Sequence, residues 1–190
     1  MKCDVILAGV GGQGVLSVGT IISEAAVAEG FHVRQSEVHG MAQRGGAVLA
    51  HLRISDKPIA SDLVPRGAAN LILGMEPVES LRYALWLSPD GAVVTAAEPV
   101  TNVPDYPEIQ GILDAVKNFP LHRIVEAAAL AKDAGNARSV NMVMVGAASG
   151  FLPISAETIE KTIERTFAGK GAAAVEANKK AFTLGRSAAK

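Results

Sequence analysis

The sequence predicts a three-layer α/β/α domain built on a mostly parallel sheet that carries a short antiparallel edge element. Short apolar runs bounded by glycine or proline alternate with segments of helical periodicity along the chain. Hydrophobic residues make up 49% of the chain but aromatic residues only 4%, and this aliphatic composition is typical of layered α/β folds. Because no internal repeat or long linker divides the sequence, residues 1–190 are predicted to form one domain with a helical C-terminal part.

The first elements follow from a change of periodicity near the N-terminus. The continuous apolar run 5–8 predicts a strand buried on both faces. Apolar residues then recur at helical spacing over 13–29, and Gly30 supplies a helix stop. A second strand is expected over 31–36, and the cluster of glycines predicts a loop over 37–46.

The segment 47–54 alternates between two faces, which predicts a half-buried strand. Val48, Ala50, Leu52 and Ile54 share the apolar face, and His51 and Arg53 lie on the other face. Residues 56–58 predict a tight turn, after which 59–60 are expected to return as a short edge strand. Proline is tolerated mainly at sheet edges, so this return would supply the antiparallel element.

The remaining elements continue the alternation. Strands are predicted over 70–74, 92–96 and 118–122, with a helix beginning at Pro77, a turn at 88–91 and an irregular loop over 98–107. A helix is expected over 108–116, a second one follows the strand 118–122 and ends at about Ala134, and a last one is expected over 172–184. The small apolar residues of 141–150 predict a helix buried on all sides, and Ser155 is a predicted N-cap of the next helix.

Composition excludes several classes of protein. The chain has 19% charged residues, a net charge of −1 and a mean hydropathy of +0.26, values that exclude a disordered chain and give no bias toward nucleic acid. No apolar run approaches the roughly 18 residues that a transmembrane helix needs, and the N-terminus lacks the pattern of a secretory signal. We expect a cytoplasmic protein that binds neither nucleic acid nor membrane.

The chain contains a single cysteine, Cys3, which opens an apolar strand. One thiol forms no internal disulfide, and an iron–sulfur cluster ordinarily needs four thiolates. Cys3 is therefore predicted to be a buried structural thiol, and any redox chemistry must come from a cofactor or another chain.

The first candidate site is the glycine loop 9–14, whose candidate residues are Gly9, Gly11, Gly12, Gln13 and Gly14. Its glycines fit the pattern G-x-G-x-x-G between a strand and a helix, where a dinucleotide pyrophosphate binds in many α/β folds. Glu37 is a candidate for the ribose-binding acid. The alternative is that the glycines only permit a sharp turn and close packing of the helix on the sheet.

The second candidate site is the polar segment 36–46 together with the polar face of the following strand. Its candidate residues are His39, Gln43, Arg44, Gly45, Gly46, His51 and Arg53. Arg44 is predicted to clamp a carboxylate or phosphate, and to form one cationic patch with His51 and Arg53. No set of His, Cys and carboxylate residues has the spacing of a metal site. The alternative is an ordered surface loop in which Arg44 pairs with Glu37, followed by a strand in which His51 is a hydrogen-bonded structural histidine.

Four segments together resemble a known family. Gly-Val-Gly-Gly-Gln-Gly at 9–14, Glu-Val-His-Gly-Met-Ala-Gln-Arg-Gly-Gly at 37–46, and the segments 73–83 and 141–147 resemble the gamma-type domain of 2-oxoacid:ferredoxin oxidoreductases. The pieces Glu-Val-His-Gly-Met and Glu-Pro-Val-Glu-x-Leu-Arg-Tyr are similar to the small (beta) subunits of the indolepyruvate:ferredoxin oxidoreductase branch.

This resemblance implies an enzyme complex that oxidatively decarboxylates aryl-2-oxo acids in amino-acid catabolism. In the family, thiamine diphosphate acts as the electron sink, [4Fe-4S] clusters pass single electrons to ferredoxin, and coenzyme A takes the acyl group. The resemblance places thiamine diphosphate, Mg²⁺ and the clusters in a larger (alpha) partner subunit. It therefore implies a hetero-oligomer whose small chain binds no cofactor, has no catalytic residue and is inactive alone.

Three functions remain open from the sequence. The chain is expected to be a non-cofactor subunit whose loop 44–46 meets coenzyme A, substrate or only the partner subunit. The alternatives are a free-standing dinucleotide-binding oxidoreductase and a pure assembly module.

Overall fold

A six-stranded mixed sheet forms the centre of the fold in the described part of the chain. The structure is a computed structural model that describes residues 1–39, 45–101 and 105–188; for His39 it describes the backbone only. The strands are β1 (Lys2–Val10), β2 (His32–His39), β3 (Ala47–Ser55), β4 (Ala69–Gly74), β5 (Leu87–Ala96) and β6 (Leu121–Val125). Their order in the sheet is β2-β3-β1-β4-β5-β6.

The α-helices alternate with these strands and then follow one another in the C-terminal part. They are α1 (Val15–Ala28), α2 (Pro77–Arg82), α3 (Ile109–Lys117), α4 (Ala127–Asp133), α5 (Val140–Ala148), α6 (Ala156–Phe167) and α7 (Ala172–Ala188). Two predicted helix starts are confirmed. Pro77 is the first residue of α2, and the Ser155 side chain accepts a hydrogen bond of 3.2 Å from the Thr158 N–H at the start of α6.

The predicted fold class is confirmed, although the antiparallel element is not where the sequence suggested. β1, β4, β5 and β6 are parallel neighbours, whereas β3 runs antiparallel to both β1 and β2 and brings β2 to the sheet edge. Residues 59–60 form no strand. Instead, Arg53 hydrogen-bonds the carbonyl oxygens of Ser61 and Leu63 at 2.9 and 3.0 Å, which draws this segment across one face of the sheet.

The two faces of the sheet are covered unequally. Val5 and Leu7 of β1 point into the main core, which includes apolar residues of α1, α5, α6 and α7. Ile6 points to the opposite face, where a smaller core is completed by Val64, Ala69 and Ile72. The alternation along β1 therefore places a thick helical layer on one side and a thin layer on the other.

Three strand boundaries differ from those predicted, because hydrogen bonding between strands outweighs local signals. β2 continues to His39, which pairs with Val48, so that 37–39 are strand and not loop. β5 begins at Leu87, and the predicted turn 88–91 is an irregularity within that strand. β6 occupies 121–125 instead of 118–122, since Leu121 pairs with Ala92 of β5.

Helix α5 is buried as predicted, with every residue from Met142 to Ala148 inside the core. It packs against α7 at two facing glycines. A Cβ atom placed on Gly146 would lie 2.1 Å from the Phe182 carbonyl oxygen, and one on Gly185 would lie 2.0 Å from the Val143 carbonyl oxygen. The two helices thus approach through their backbones, which only glycine permits.

Candidate functional site

The glycine loop after β1 contacts the segment that leads into β3. The N–H of Gly11 donates to the Gly46 carbonyl oxygen at 2.8 Å, and the N–H of Gly45 donates to the Gly11 carbonyl oxygen at 3.2 Å. Both segments lie at the carboxyl ends of β1 and β2, the edge of an open α/β sheet at which ligands usually bind. The structure therefore joins parts of the two candidate sites that the sequence presented separately.

Gln13 ties the end of β1 to the end of β4. Its Oε1 accepts a hydrogen bond of 2.8 Å from the Val10 N–H, and its Nε2 donates one of 2.9 Å to the Met75 carbonyl oxygen. A further bond of 2.8 Å joins the Met75 N–H to the Ala8 carbonyl oxygen. The Gln13 carboxamide thus bridges the carboxyl ends of β1 and β4.

Packing explains the need for glycine at two positions of this loop without any ligand. A Cβ on Gly9 would lie 2.8 Å from Val15 Cγ2 and 3.0 Å from Met75 Cβ. Gly14 has a φ of 75°, and a Cβ there would lie 2.3 Å from Asn141 Nδ2. These contacts match the alternative of a sharp turn with close helix packing, so the geometry does not favour the dinucleotide-binding hypothesis.

The accessible part of the site is a groove beside Gly11 and Gly12. It has a volume of about 320 Å³ and is walled by apolar side chains of Val10, Val15, Leu16 and Val48, with Gly14 and Ser17 at its border. Gly12 has a φ of 103° and no neighbouring atom within 4 Å of a Cβ position. The groove therefore offers backbone groups and apolar surface, and none of its described lining residues is charged.

Arg53 is committed to a buried ion pair. Its Nε donates to Asp4 Oδ1 at 2.8 Å, and Asp4 is fully buried while the Arg53 side chain is 11% exposed. Lys2 also pairs with Asp4, at 2.7 Å. Because the guanidinium also holds two backbone carbonyls, it has a structural role in anchoring the segment that follows β3.

His51 is likewise part of the internal structure, being only 5% exposed. Its Nδ1 accepts a hydrogen bond of 3.2 Å from the Val64 N–H. Burial, and then the positive charge of Arg53, lower the pKa of His51 below its ordinary value. His51 and Arg53 thus each have an internal partner, while Arg44 lies outside the described residues, so the cationic patch that would join all three stays a prediction.

Other candidate residues lie outside the range in which side chains are described. Gln43 and Arg44 fall in 40–44, and of His39 the structure gives only its backbone pairing with Val48. Their assignment to substrate approach or to a subunit interface stays a prediction.

Sequence reasoning missed a buried carboxylate, Glu76, at the same edge of the sheet. Glu76 is 1% exposed and accepts hydrogen bonds from the Glu79 N–H at 2.8 Å and from the Tyr106 hydroxyl. Burial, followed by the bond to Glu76, raises the pKa of Tyr106 and keeps its hydroxyl a donor. A Glu directly before the helix-starting Pro77 was the available signal of an N-cap, but its contact with the loop 98–107 depends on the tertiary fold.

The donor groups of this chain do not fit an iron–sulfur cluster. Cys3 is the only cysteine, and its Sγ lies 3.8 Å from the Phe151 carbonyl oxygen, to which it donates. Burial, and secondarily the Asp4 charge, raise the pKa of Cys3 to about 12, so that it remains a thiol. In the described ranges no three His, Cys, Asp or Glu side chains are grouped to hold a metal ion, and no helix there is long and apolar enough to cross a bilayer.

Comparison with known proteins identifies the family. The model of the pyruvate ferredoxin/flavodoxin oxidoreductase family matches residues 4–188. The chain is 39% identical to the indolepyruvate oxidoreductase subunit IorB of Pyrococcus horikoshii, over 98% of this chain and 96% of that protein.

Solved structures agree with the fold. A gamma subunit of a keto/oxoacid ferredoxin oxidoreductase from Geobacter sulfurreducens superimposes with a TM-score of 0.67 and 26% identity, over 98% of each chain. The 2-oxoglutarate:ferredoxin oxidoreductase of Magnetococcus marinus gives a TM-score of 0.79 at 22% identity. It is matched over 99% of this chain but only 31% of that longer chain.

Proposed function

Because the chain belongs to the pyruvate ferredoxin/flavodoxin oxidoreductase family and is a subunit of a 2-oxoacid:ferredoxin oxidoreductase, we propose that it is the small subunit of an enzyme that oxidises indolepyruvate and related aryl-2-oxo acids. The observation that carries the proposal is the end-to-end similarity to an indolepyruvate oxidoreductase subunit of nearly the same length. The complex would reduce ferredoxin and form an acyl-coenzyme A.

The chemistry available in this chain supports a non-catalytic role within that complex. Thiamine diphosphate with Mg²⁺ would stabilise the carbanion, and [4Fe-4S] clusters would carry out the electron transfer. We place both in the larger partner subunit, as the family resemblance implies. Here the single cysteine is a buried thiol, while His51 and Arg53 are held in internal contacts. We therefore assign this chain to shaping the complex and not to reacting with substrate.

The surface best suited to meet the partner is the carboxyl edge of the sheet. It presents the groove beside Gly11 and Gly12 together with exposed Leu16 and the pair Gly45–Gly46 that leads into β3. Gln13 and the Gly11–Gly46 hydrogen bond hold this edge as one unit, so that a partner meets a preorganised surface. This placement favours a subunit interface close to the approach of coenzyme A or substrate.

We expect the co-expressed small and large subunits to purify as one complex that reduces a viologen dye with indolepyruvate and coenzyme A, because the resemblance places the cofactors in the larger chain. The small chain alone is expected to be colourless, inactive and free of iron and thiamine. Metal analysis, absorbance and steady-state turnover with indolepyruvate, pyruvate and 2-oxoglutarate measure these outcomes. A complex that prefers pyruvate would contradict the assigned substrate, and a thermal shift of the isolated chain with NADH would favour the dinucleotide alternative.

Arg44→Ala is expected to leave the isolated chain folded but to weaken assembly or to raise the apparent KM for coenzyme A at least tenfold. Truncating a desolvated arginine that pairs with an anionic group at an interface costs about 2–5 kcal/mol, because the anionic partner is left buried and unpaired. Binding to the large subunit and turnover in the reconstituted complex measure the effect. Arg34→Ala is the matched control, since Arg34 is exposed on edge strand β2 and lies 3.9 Å from Asp62. Equal assembly, turnover and KM for coenzyme A in the two variants would show that Arg44 is a surface residue without a functional role.

A further inference from the structure

A second cavity lies on the helical side of the sheet, between α1, α5, α6 and α7. Its volume is about 490 Å³, within the usual range for small-molecule sites. The polar side chains that line it are Ser17, Thr20, Asn136, Asn141, Thr166 and Asn178. Nothing in the proposed function uses this cavity.

Two cationic side chains, Arg138 and Lys170, line the cavity, and none of the described lining residues is a carboxylate. Within the described residues neither cation forms an ion pair. Lys170 Nζ lies 5.0 Å from the centroid of the Phe167 ring, a contact that keeps the ammonium group beside the cavity. The lining is therefore positively charged without an internal counterion.

The N-terminus of α5 lies beside the same cavity. Asn141 and Met142, in the first turn of this nine-residue helix, both line it. A helix N-terminus carries partial positive charge, which adds to the charge of the two cationic side chains.

We propose that this cavity binds the phosphate group of a small phosphorylated metabolite. Two cations, the positive end of a helix, the Ser17 hydroxyl and the side-chain amides of Asn136 and Asn141 match the charge and the many acceptor oxygens of a phosphate monoester. The volume exceeds what a phosphate ion fills, and Ile21, Met142 and Phe167 provide apolar wall for the remainder of the molecule. The inference is independent of the proposed function, because phosphate binding is measured on this chain alone, without the large subunit and without enzymatic activity.

The test measures binding of inorganic phosphate and of ribose 5-phosphate to the 190-residue chain by isothermal titration and by the shift of the thermal midpoint. Both ligands are expected to bind saturably, and potassium chloride at equal ionic strength is expected to give no comparable shift. Tighter binding of the ester would identify a phosphorylated metabolite as the source of the phosphate, whereas equal binding would identify the free ion. Because Arg138 and Lys170 are exposed, affinity is also expected to fall as salt rises.

Arg138→Gln and Lys170→Gln are each expected to weaken phosphate binding about tenfold or more, and Arg138→Lys to retain part of the affinity. Lys180→Gln is the matched control, because Lys180 is an exposed cation on α7 that does not line the cavity. The absence of saturable binding would overturn the proposal. So would equal affinity in the wild-type chain and the Arg138→Gln/Lys170→Gln double variant, or an equal loss in Lys180→Gln.

Discussion

Gly146→Ala is expected to destabilise the chain by about 4 kcal/mol or to prevent folding. The added methyl group would lie 2.1 Å from the Phe182 carbonyl oxygen and 2.9 Å from the Arg186 nitrogen of the facing helix. Both obstacles are backbone atoms, so no side-chain rotation relieves the overlap and α5 must separate from α7. Urea unfolding followed by circular dichroism measures the loss of free energy.

The matched control for this prediction is Gly111→Ala. Gly111 also lies inside a helix, α3, but a Cβ there meets only Glu108 Oε2 at 4.0 Å. Alanine at this position is expected to raise the free energy of unfolding by about 0.5–1 kcal/mol, because alanine has the higher helix propensity. If Gly146→Ala unfolds at the same urea concentration as the wild-type chain, the close approach of α5 and α7 is not a requirement of the fold.

Asp4→Asn is expected to lower the free energy of unfolding by about 3–5 kcal/mol, although the side chain keeps its shape. Asp4 is fully buried and is the counterion of Arg53 at 2.8 Å and of Lys2 at 2.7 Å. Removing its charge leaves a largely buried guanidinium without compensation, and burying an unpaired charge is costly. Thermal or urea unfolding of the isolated chain is the measurement.

Two further variants separate the loss of charge from other effects. Asp114→Asn removes a carboxylate that pairs with Lys117 at 2.7 Å at the surface, where both side chains are more than half exposed, and is expected to change stability by less than about 0.5 kcal/mol. The double variant Asp4→Leu/Arg53→Met removes both charges and is expected to recover part of the stability lost in Asp4→Asn. A small effect of Asp4→Asn, comparable with that of Asp114→Asn, would contradict the role of this ion pair.

The candidate site illustrates where sequence reasoning stops. The glycine spacing correctly indicated a sharp turn between a strand and a helix, but the same spacing is compatible with a ligand loop and with a packing loop. The choice between these two kinds of loop depends on contacts such as that of Gln13 with Met75, which are far apart in sequence but joined by a hydrogen bond of 2.9 Å. Similarly, the alternation of β3 placed His51 and Arg53 on one face, but it contained no information about whether that face meets solvent or another segment.

The sequence by itself determined the α/β class, the positions of most elements and the family resemblance. These properties depend on local composition, on the spacing of apolar residues and on short motifs, all of which are readable along the chain. The buried α5, the helix start at Pro77 and the N-cap Ser155 belong to this group.

Only the tertiary structure decided the direction of β3, the partners of Arg53 and Glu76, and the meeting of Gly11 with Gly46. Each of these depends on contacts between residues distant in sequence, such as the Asp4–Arg53 pair. A local pattern indicates which residues are apolar and become buried, and which have polar groups that need a hydrogen bond. The residue that provides the contact or the hydrogen bond depends on how the strands are ordered in the sheet.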